Sequence, residues 1–440
     1  MSTVAPRAFS CGDDLQAWLQ HLEQRSQPVL GLERVAAVYR RLLPAGLAMP
    51  AVVVGGTNGK GSTVAYLEAI YRSAGYRTGA YFSPHLERFN ERIVIDEQEV
   101  GDHALCESFA HVARSAGEMP LTYFEFTTLA ALWLMAHHAV DVALLEVGLG
   151  GRLDAVNVVD AAVAVVTSIG TDHAAWLGEG RDAVGIEKAG IARRGVPLVC
   201  GDPKPPPGFV AAVATNGGVL YRLGRDFGHR SNEDSWACRL PHGRCLEGLM
   251  RPRIPGGVQL DNAACALSTV WLLRQQLPVA EIAMRQGVAA GFQPGRLESW
   301  GYQGTPWLVD VAHNLEATQV LAAELAQRRS VAGKRHLLFA AYDDKPIEAM
   351  VALLAGHVSQ WWLVGLPGSR AASPRRLHSA VTAVSQGPVE VFSHLEAALE
   401  ALAGAVRDGD EVVAAGSFAL AGPVRHFLCQ RHAVAAVDRR

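Results

Sequence analysis

The stretch that decides the fold reads Val52-Val-Val-Gly-Gly-Thr-Asn-Gly-Lys-Gly-Ser-Thr63. Three β-branched residues lead into a glycine-rich turn, and an amphipathic segment over Ser62–Ser73 predicts a helix, so the predicted order is strand, loop, helix. Glycines let backbone N–H groups approach an anion, a helix N-terminus adds positive potential, and Lys60 can reach the outer phosphates of a nucleotide. The stretch therefore predicts an ATP-binding phosphate loop rather than an ordinary glycine-rich turn.

One residue of this loop is irregular. Gly61, and not Ser or Thr, follows Lys60, and the hydroxyl residues Ser62 and Thr63 come one place later. The hydroxyl that usually binds magnesium is therefore displaced, and the metal must find ligands elsewhere. Ser83 could supply it, although Ser83-Pro-His85 by itself indicates only a turn.

The composition limits the classes of partner. The chain has 440 residues and a formal net charge of -3, which gives no electrostatic reason to expect nucleic acid or an anionic membrane as partner. Hydrophobic residues make up 49% of the chain, but polar residues interrupt every apolar run before the ~20 residues that a bilayer span needs, and we expect no signal peptide. The seven cysteines are scattered without a Cys-x-x-Cys pair, which predicts reduced thiols. We expect a cytoplasmic monomer that binds small molecules.

The first two thirds of the chain alternate between helical and strand patterns. Residues 13–43 predict two helices broken at Gln27-Pro-Val-Leu-Gly31, and Phe126–His138 predicts another. The apolar segments Val142–Val147 and Val163–Ser168 predict buried strands. Such alternation is typical of a parallel sheet covered by helices, which binds ligands at the carboxyl ends of its strands.

The fold class that follows is α/β with two domains. Residues 201–260, rich in proline and glycine, predict peripheral β structure, and Gly291-Phe-Gln-Pro-Gly-Arg296 predicts an interdomain linker. We therefore predict a P-loop parallel-sheet ATPase domain with a peripheral β segment over residues 1–293. A smaller, Rossmann-like α/β domain is predicted over residues 294–440.

Three residues of the first domain are candidates for metal chemistry, and two of them lie near predicted strand ends. Glu146 ends an apolar strand, where an acid can hold hydrated magnesium or simply cap the strand in solvent. His173 follows the next strand; such a histidine is more often structural, but a phosphate loop and Glu146 in the same fold favour metal binding. Lys188 is either a surface charge or a buried amine that reacts with carbon dioxide to form a carbamate.

The second domain repeats this arrangement. In Leu308-Val-Asp-Val-Ala-His-Asn314, Asp310 and His313 follow a predicted strand. The aspartate can bind ribose hydroxyls and the histidine can face an adenine or a phosphate, or the segment is a strand-ending Asx turn. Arg296, in the linker, is expected to reach phosphates when the domains close.

Six motifs carry a family resemblance: Gly56-Thr-Asn-Gly-Lys-Gly-Ser-Thr63, Ser83-Pro-His-Leu86, Leu121-Thr-Tyr-Phe-Glu-Phe126, Glu146-Val-Gly-Leu-Gly-Gly-Arg-Leu-Asp154, Glu187-Lys-Ala-Gly190 and Asp310-Val-Ala-His-Asn314. Over nearly its whole length the chain resembles the folylpolyglutamate synthases, and most closely the bifunctional dihydrofolate synthase/folylpolyglutamate synthases of bacteria, relatives of the Mur ligases. Because Mur ligases keep Ser or Thr directly after the lysine, Gly61 favours the folate branch.

The resemblance implies a ligase that uses ATP to add L-glutamate to 7,8-dihydropteroate, and further glutamates to reduced folates, through an acyl phosphate. The implied cofactors are ATP, two Mg²⁺ ions and carbon dioxide held as a carbamate on Lys188. The implied catalytic residues are Lys60, His173 and Lys188, and the implied metal ligands are Ser83 and Glu146 for one ion and His173 for the second.

The resemblance also implies two sets of binding residues. The nucleotide contacts are Thr57, Asn58, Gly59, Lys60, Gly61, Ser62, Asn262, Arg296, Asp310 and His313. The contacts to dihydropteroate or folate are Gln27, Pro28, Val29, Leu30, Thr122, Tyr123, Phe124, Glu125, Leu153, Asp154 and Ala155, among which Phe124 offers an aromatic face to the pterin.

Parts of the second domain depart from the family's pattern. Leu315 stands where the family has proline, and Ala340–Pro346 and Gly416–Leu420 differ from the usual motifs. The resemblance therefore assigns no glutamate-binding residue here.

Three alternative functions remain at this stage. The chain could be a monofunctional folylpolyglutamate synthase or a Mur-type amino-acid ligase, both of the same fold. From another class, it could be a nucleotide-dependent binding or regulatory module. Such a module has no need of Glu146, His173 and Lys188 together.

Overall fold

The chain divides into two compact units. The structure, a computed structural model, describes residues 14–24, 29, 31–232, 235–328 and 332–435. The first unit contains the described residues up to 85, together with 89–252 and 260–291; the second contains 86–88, 253–259 and the described residues from 292 onward.

A mostly parallel sheet forms the centre of the first unit. Within the described residues it has eight strands in the order β4-β3-β2-β5-β1-β6-β7-β8; the run from β2 to β8 is parallel, whereas β3 and β4 are antiparallel. The strands are β1 (Ala51–Gly55), β2 (Thr78–Tyr81), β3 (Ile93–Ile95), β4 (Gln98–Glu99), β5 (Val142–Glu146), β6 (Val163–Val166), β7 (Pro197–Cys200) and β8 (Val219–Arg222). Because β1 lies between β5 and β6, the ends of the three strands with predicted site residues meet at one edge.

Helices cover this sheet. The predicted amphipathic helix after the phosphate loop is instead buried from residue 61 to residue 67, because helix α10 packs against it in addition to the sheet. The helices are α1 (Leu15–Glu23), α2 (Glu33–Leu42), α3 (Lys60–Ser73), α4 (Asp102–Ala116), α5 (Tyr123–His137), α6 (Ala174–Leu177), α7 (Gly180–Ala189), α8 (Pro207–Thr215), α9 (Val258–Leu273) and α10 (Glu281–Ala290).

The peripheral β segment is a small antiparallel sheet of three strands within the described residues, in the order β11-β10-β9. The strands are β9 (Gly228–Ser231), β10 (Ser235–Arg239) and β11 (Cys245–Met250). This sheet agrees with the peripheral β structure predicted over residues 201–260. The same range also contains helix α8 and strand β8, which joins the edge of the main sheet, so the prediction was wrong for that part.

The second unit has its own sheet, in the order β16-β15-β14-β17-β13-β12-β18. Strands β12 and β18 are antiparallel to their neighbours and extend a parallel core. The strands are β12 (Glu298–Tyr302), β13 (Thr305–Val309), β14 (Arg335–Phe339), β15 (Gln360–Val364), β16 (Val389–Phe392), β17 (Glu411–Ala415) and β18 (Val434–Ala435). The helices are α11 (Leu315–Gln327), α12 (Ile347–Ala355), α13 (Pro374–Thr382), α14 (Leu395–Ala405) and α15 (Phe418–Gln430).

The two units have separate hydrophobic cores. The six cysteines within the described residues are free thiols, as the scattered spacing predicted. No helix in the described ranges has both the length and the apolar character needed to cross a membrane.

Candidate active site

The phosphate loop lies between β1 and α3. β1 ends at Gly55 and α3 begins at Lys60, so the predicted order of strand, loop and helix is present. The Lys60 ammonium donates to the carbonyl oxygens of Gly56 and Thr57, each at 3.1 Å, which keeps it folded onto the loop. The buried hydroxyl of Ser62 has no hydrogen-bond partner among the described residues, so it is available to a ligand.

The residues after β6 fix the shape of this loop. The Gly170 amide donates to the Thr57 hydroxyl at 2.9 Å, and the Asn58 amide donates to the Ser168 hydroxyl at 3.0 Å. The Thr167 hydroxyl donates to the Asn58 carbonyl at 2.6 Å. The loop is therefore held in shape by the protein alone, which reduces the ordering that a nucleotide would have to impose.

Gly59 is a position where only glycine fits. Its φ of +87° lies in the left-handed region, and a Cβ there would collide with the side chain of Asn262 on α9. The structure therefore brings Asn262, a predicted nucleotide contact, against the phosphate loop.

Ser83 and Glu146 lie together beside the strand that enters the loop. Glu146 pairs with Val54 of β1, is buried, and accepts a hydrogen bond from the Ser83 amide at 3.1 Å. The Ser83 hydroxyl is buried without a hydrogen-bond partner among the described residues. A carboxylate next to an unused hydroxyl is a donor set that magnesium prefers, so these two residues fit the predicted cation.

His173 is not part of this pair. Its side chain is 44% exposed, and its Nε2 lies 3.8 Å from a carboxylate oxygen of Asp172. Within the described residues, no three His, Cys, Asp or Glu side chains lie close enough together to hold a metal ion. The assignment of His173 to a second magnesium ion stays a prediction.

Lys188 on α7 is buried, with 3% of its surface exposed. Burial, and then the positive charge of Lys60, lower the pKa of its amine to about 7, although Asp172 and Asp154 act in the opposite direction. A substantial fraction of this amine is therefore neutral near pH 7, unlike that of a surface lysine.

A cavity of about 300 Å³ lies next to Ser83. Its walls include every described member of the predicted dihydropteroate set. The lining residues are Val29, Gly31, Ser83, Pro84, Arg92, Thr122, Tyr123, Phe124, Glu125, Gly148, Leu149, Leu153, Asp154 and Ala155. Gln27, Pro28 and Leu30, which were predicted with them, lie outside the described residues.

Two lining residues give the cavity its chemistry. The Phe124 ring packs so closely on Gly148 that a side chain at Gly148 would overlap it. Asp154 is buried and accepts hydrogen bonds from the amides of Leu149 and Val156, at 2.8 and 3.0 Å. Burial outweighs these bonds and raises the pKa of its carboxyl to about 6. The cavity thus combines an aromatic face with a buried acid.

In the second unit, Asp310 follows β13. Its two carboxylate oxygens accept the amides of Leu297 and Ala312, at 2.8 and 2.7 Å, and burial raises the pKa of this carboxyl. The Asx-turn alternative is therefore present. Because each carboxylate oxygen has two lone pairs, this turn leaves acceptor capacity for a ribose.

Arg296 and His313 contact the same aromatic ring. The Arg296 guanidinium lies 5.0 Å from the centre of the Phe418 ring, and the His313 ring lies 5.3 Å from it on centres. Phe418 therefore brings these two predicted nucleotide contacts together.

Comparison with known proteins supports the resemblance. The family model for the glutamate ligase domain of Mur ligases matches residues 295–418. The dihydrofolate synthase/folylpolyglutamate synthase of Escherichia coli (strain K12) is 38% identical over 420 residues, covering 94% of this chain and 96% of that protein.

The chain belongs to the dihydrofolate synthase/folylpolyglutamate synthase family. Solved structures of the family match it over almost their full length. Escherichia coli FolC in complex with DHPP and ADP has a TM-score of 0.89 and 37% identity, covering 96% of this chain and 99% of that chain. A bifunctional folylpolyglutamate synthase/dihydrofolate synthase with Mn, AMPPNP and L-glutamate bound has a TM-score of 0.88 and 38% identity, covering 96% and 100%. The predicted family and α/β fold class are confirmed.

Sequence reasoning missed Arg92 in this member of the dihydrofolate synthase/folylpolyglutamate synthase family. Arg92 lines the cavity although it is 8% exposed. Its guanidinium lies 5.4 Å from the centre of the Tyr123 ring, and its Nε donates to His85 Nδ1 at 2.8 Å. Burial, and then Arg92, lower the pKa of His85 to about 4, so the imidazole is a neutral acceptor. The only signal in the sequence was a charge directly before an apolar strand, which is common at surfaces.

Proposed function

We propose that this chain is an ATP-dependent ligase that adds L-glutamate to 7,8-dihydropteroate, forming dihydrofolate, and adds further glutamates to reduced folates. One observation carries the proposal. Ser83 lines the acceptor-sized cavity and also contacts Glu146, which pairs with the strand entering the phosphate loop. A carboxylate in the cavity and the γ-phosphate of ATP on the loop would meet beside Ser83.

The acceptor would occupy the cavity. We assign its contacts to Val29, Thr122–Glu125 and Leu153–Ala155, and by the family resemblance to Gln27, Pro28 and Leu30. The Phe124 ring suits the flat face of a pterin. Ionised Asp154 would accept hydrogen bonds from the ring N–H groups.

The nucleotide would bind the phosphate loop, from Thr57 to Ser62, with Asn262 beside it. Arg296, Asp310 and His313 would complete the nucleotide contacts. Accordingly, we assign residues 1–293 to the ATP-binding domain and 294–440 to the glutamate ligase domain. The burial of Asn262, and the contacts that Arg296 and His313 both make with the Phe418 ring, support the assignment of these nucleotide contacts.

Ser83 and Glu146 would hold one magnesium ion, and we keep His173 as ligand of a second. The ions would neutralise the negative charges of the triphosphate and the acceptor carboxylate. The protein's own residues act around them: Lys60 binds the outer phosphates, and the loop orients the γ-phosphate toward the cavity.

Two steps would form the amide. The acceptor carboxylate attacks the γ-phosphorus, the bond to the bridging oxygen breaks, and ADP leaves an acyl phosphate behind. The neutral amine of L-glutamate then attacks the carbonyl carbon, inorganic phosphate leaves, and the amine loses a proton to solvent. Positioning of the reactants supplies much of the rate, since the acyl phosphate has a good leaving group.

We further propose that Lys188 is carbamylated. Its neutral amine would attack carbon dioxide, forming an N–C bond and releasing one proton, so the buried neutral amine would become an anion. The lowered pKa of Lys188 supports this reaction, because only the neutral amine is nucleophilic.

We also propose that the protein is located in the cytoplasm. The six free thiols of the described residues are consistent with that reducing compartment.

The test is ATP-dependent incorporation of labelled L-glutamate, with 7,8-dihydropteroate and tetrahydrofolate compared at equal magnesium and bicarbonate. We expect incorporation into both acceptors, with one ATP consumed for each glutamate. Incorporation into tetrahydrofolate alone would mean a monofunctional folylpolyglutamate synthase. No incorporation into either would point to a Mur-type ligase, and ATP binding without glutamate-coupled consumption would point to a binding module.

A further inference from the structure

A single arginine links two walls of the acceptor cavity. Arg34 lies on α2, and its Nη2 donates to the Val29 carbonyl at 2.8 Å and to Glu125 Oε1 at 2.9 Å. Val29 and Glu125 both line the cavity, whereas Arg34 stands behind them. The two walls come from segments more than ninety residues apart in the sequence.

The Glu125 carboxylate is already used by its own helix. Its Oε2 accepts the Thr122 amide at 2.7 Å, and the Thr122 hydroxyl accepts the Glu125 amide at 3.3 Å, which is a capping box at the start of α5. This box satisfies the helix N-terminus without any cation. The hydrogen bond that Glu125 Oε1 accepts from Arg34 is therefore not needed to cap α5.

The ion pair between Arg34 and Glu125 is held in a fixed geometry. The Glu125 side chain is 5% exposed and that of Arg34 is 27% exposed, so the ion pair is shielded more than a surface pair. The Arg34 Nε is buried and has no hydrogen-bond partner within the described residues. Arg34 thus donates to two acceptors through one nitrogen. This arrangement depends on the positions of the two cavity walls that carry the acceptors.

We propose that Arg34 is a positioning residue that fixes the spacing of the cavity walls at Val29 and Glu125 and thereby sets the affinity for the pterin-bearing acceptor. This inference rests on the proposed function. Arg34 touches neither the phosphate loop nor the Ser83 and Glu146 pair in any described contact, so its effect belongs to acceptor binding and not to phosphoryl transfer.

The experiment compares Arg34→Met with Arg40→Met, an exposed arginine on the same helix. We expect Arg34→Met to raise KM for 7,8-dihydropteroate at least tenfold, with kcat within threefold and KM for ATP unchanged. Arg34→Lys should restore part of the affinity, since an ammonium can still donate to both oxygens. Arg40→Met should match the wild-type protein.

Two outcomes would overturn the proposal. Equal KM values in Arg34→Met and Arg40→Met would remove any role in positioning. A fall of kcat with every substrate, together with a lower Tm and no change in KM, would show a merely structural ion pair. A double-mutant cycle adds a check: in a Glu125→Ala background, which leaves no acceptor for Arg34 at this position, Arg34→Met should raise KM much less than in the wild-type background.

Failure of the proposed function can be told apart from failure of this inference. If wild-type protein incorporates no glutamate, calorimetric titration with 7,8-dihydropteroate replaces the kinetic assay. Weaker binding by Arg34→Met alone would then sustain the role of Arg34 in shaping the cavity. Equal binding by both variants, or no binding by wild-type protein, would refute it.

Discussion

Lys188 illustrates how its surroundings change the chemistry of a single residue. Its amine is buried on α7 and faces the charges of Lys60, Asp172 and Asp154. Burial and Lys60 favour the neutral form, and the two acids only partly offset them. The same side chain is thus a cost to folding at neutral pH and, in our proposal, a nucleophile toward carbon dioxide.

The first prediction concerns the pH dependence of stability at Lys188. Its folded pKa of about 7 lies below the ordinary lysine value of 10.5, so the unfolded chain binds more protons between these pH values. The free energy of unfolding should therefore rise with pH across this window. In buffer free of carbon dioxide, Lys188→Met should flatten this rise and stabilise the protein at pH 7 by on the order of 4 kcal/mol. It should also lose most glutamate incorporation.

Urea unfolding at several pH values measures this effect. Lys204→Met, at an exposed lysine, is the matched control and should keep the wild-type slope and activity. The carbamate itself is tested by turnover: removal of carbon dioxide should lower the activity of wild-type protein, and bicarbonate should restore it. Full activity of Lys188→Met would contradict the proposed carbamate. If the free energy of unfolding of this variant rose with pH as steeply as in the wild-type protein, the lowered pKa of the Lys188 amine would be contradicted.

At the scale of elements, the phosphate loop approaches α9 closely where Gly59 meets Asn262. Gly59 and Gly75 have nearly the same positive φ, +87° and +86°. They differ in their neighbours, because a Cβ at Gly59 meets Asn262 whereas a Cβ at Gly75 meets nothing within 4 Å. Substituting alanine at Gly59 and at Gly75 therefore distinguishes the effect of backbone strain, which both variants share, from the effect of displacing Asn262, which only Gly59→Ala has.

The second prediction uses this pair. Gly75→Ala should cost only the strain of the left-handed backbone, about 1 kcal/mol of stability, and leave the affinity for ADP unchanged. Gly59→Ala should cost the same strain and also push Asn262 out of position, so the Kd for ADP should rise at least tenfold. Calorimetric titration with ADP measures both. Equal Kd values would show that Asn262 does not contribute to nucleotide binding.

The elements that sequence reasoning predicted well are those with local signals. The order from β1 through the phosphate loop to α3 follows from glycines and a lysine within twelve residues. The start of α5 was missed: the helix was predicted from Phe126, but Tyr123–Glu125 form its first turn after the Thr122 cap. The spacing Thr-x-x-Glu was a readable signal for that cap.

Other elements depend on partners far along the chain. Strand β12 pairs with β13 through a tight turn in which Gln303 and Gly304 both have positive φ, a hairpin geometry that glycine indicates only weakly here. Strand β18 is a strand through its antiparallel pairing with β12, which lies far from it in the sequence. The link from Arg34 to Glu125 has the same origin, since ninety residues separate the two and no local pattern predicts their meeting.

At the scale of the whole molecule, the division into units does not follow the chain. Residues 86–88 and 253–259 belong to the second unit although the first unit surrounds them in sequence. The predicted boundary near residue 293 thus describes the last crossing of the chain and not the earlier ones. Cutting the chain at that boundary would separate residues 86–88 and 253–259 from the rest of the second unit, so the units must be probed within the intact chain.

The third prediction is that the two cores lose protection independently. Phe109 is buried in the core of the first unit and Trp361 in that of the second. Replacing either by alanine should cost roughly 3–5 kcal/mol through lost burial and a cavity. Trp361→Ala should therefore speed amide hydrogen exchange roughly 100-fold or more in β14, β15 and β17, and leave β1, β5 and β6 unchanged. Phe109→Ala should do the reverse. Mass spectrometry of exchanged peptides resolves the two sheets, and equal acceleration in both would mean that the intact chain unfolds as one cooperative body.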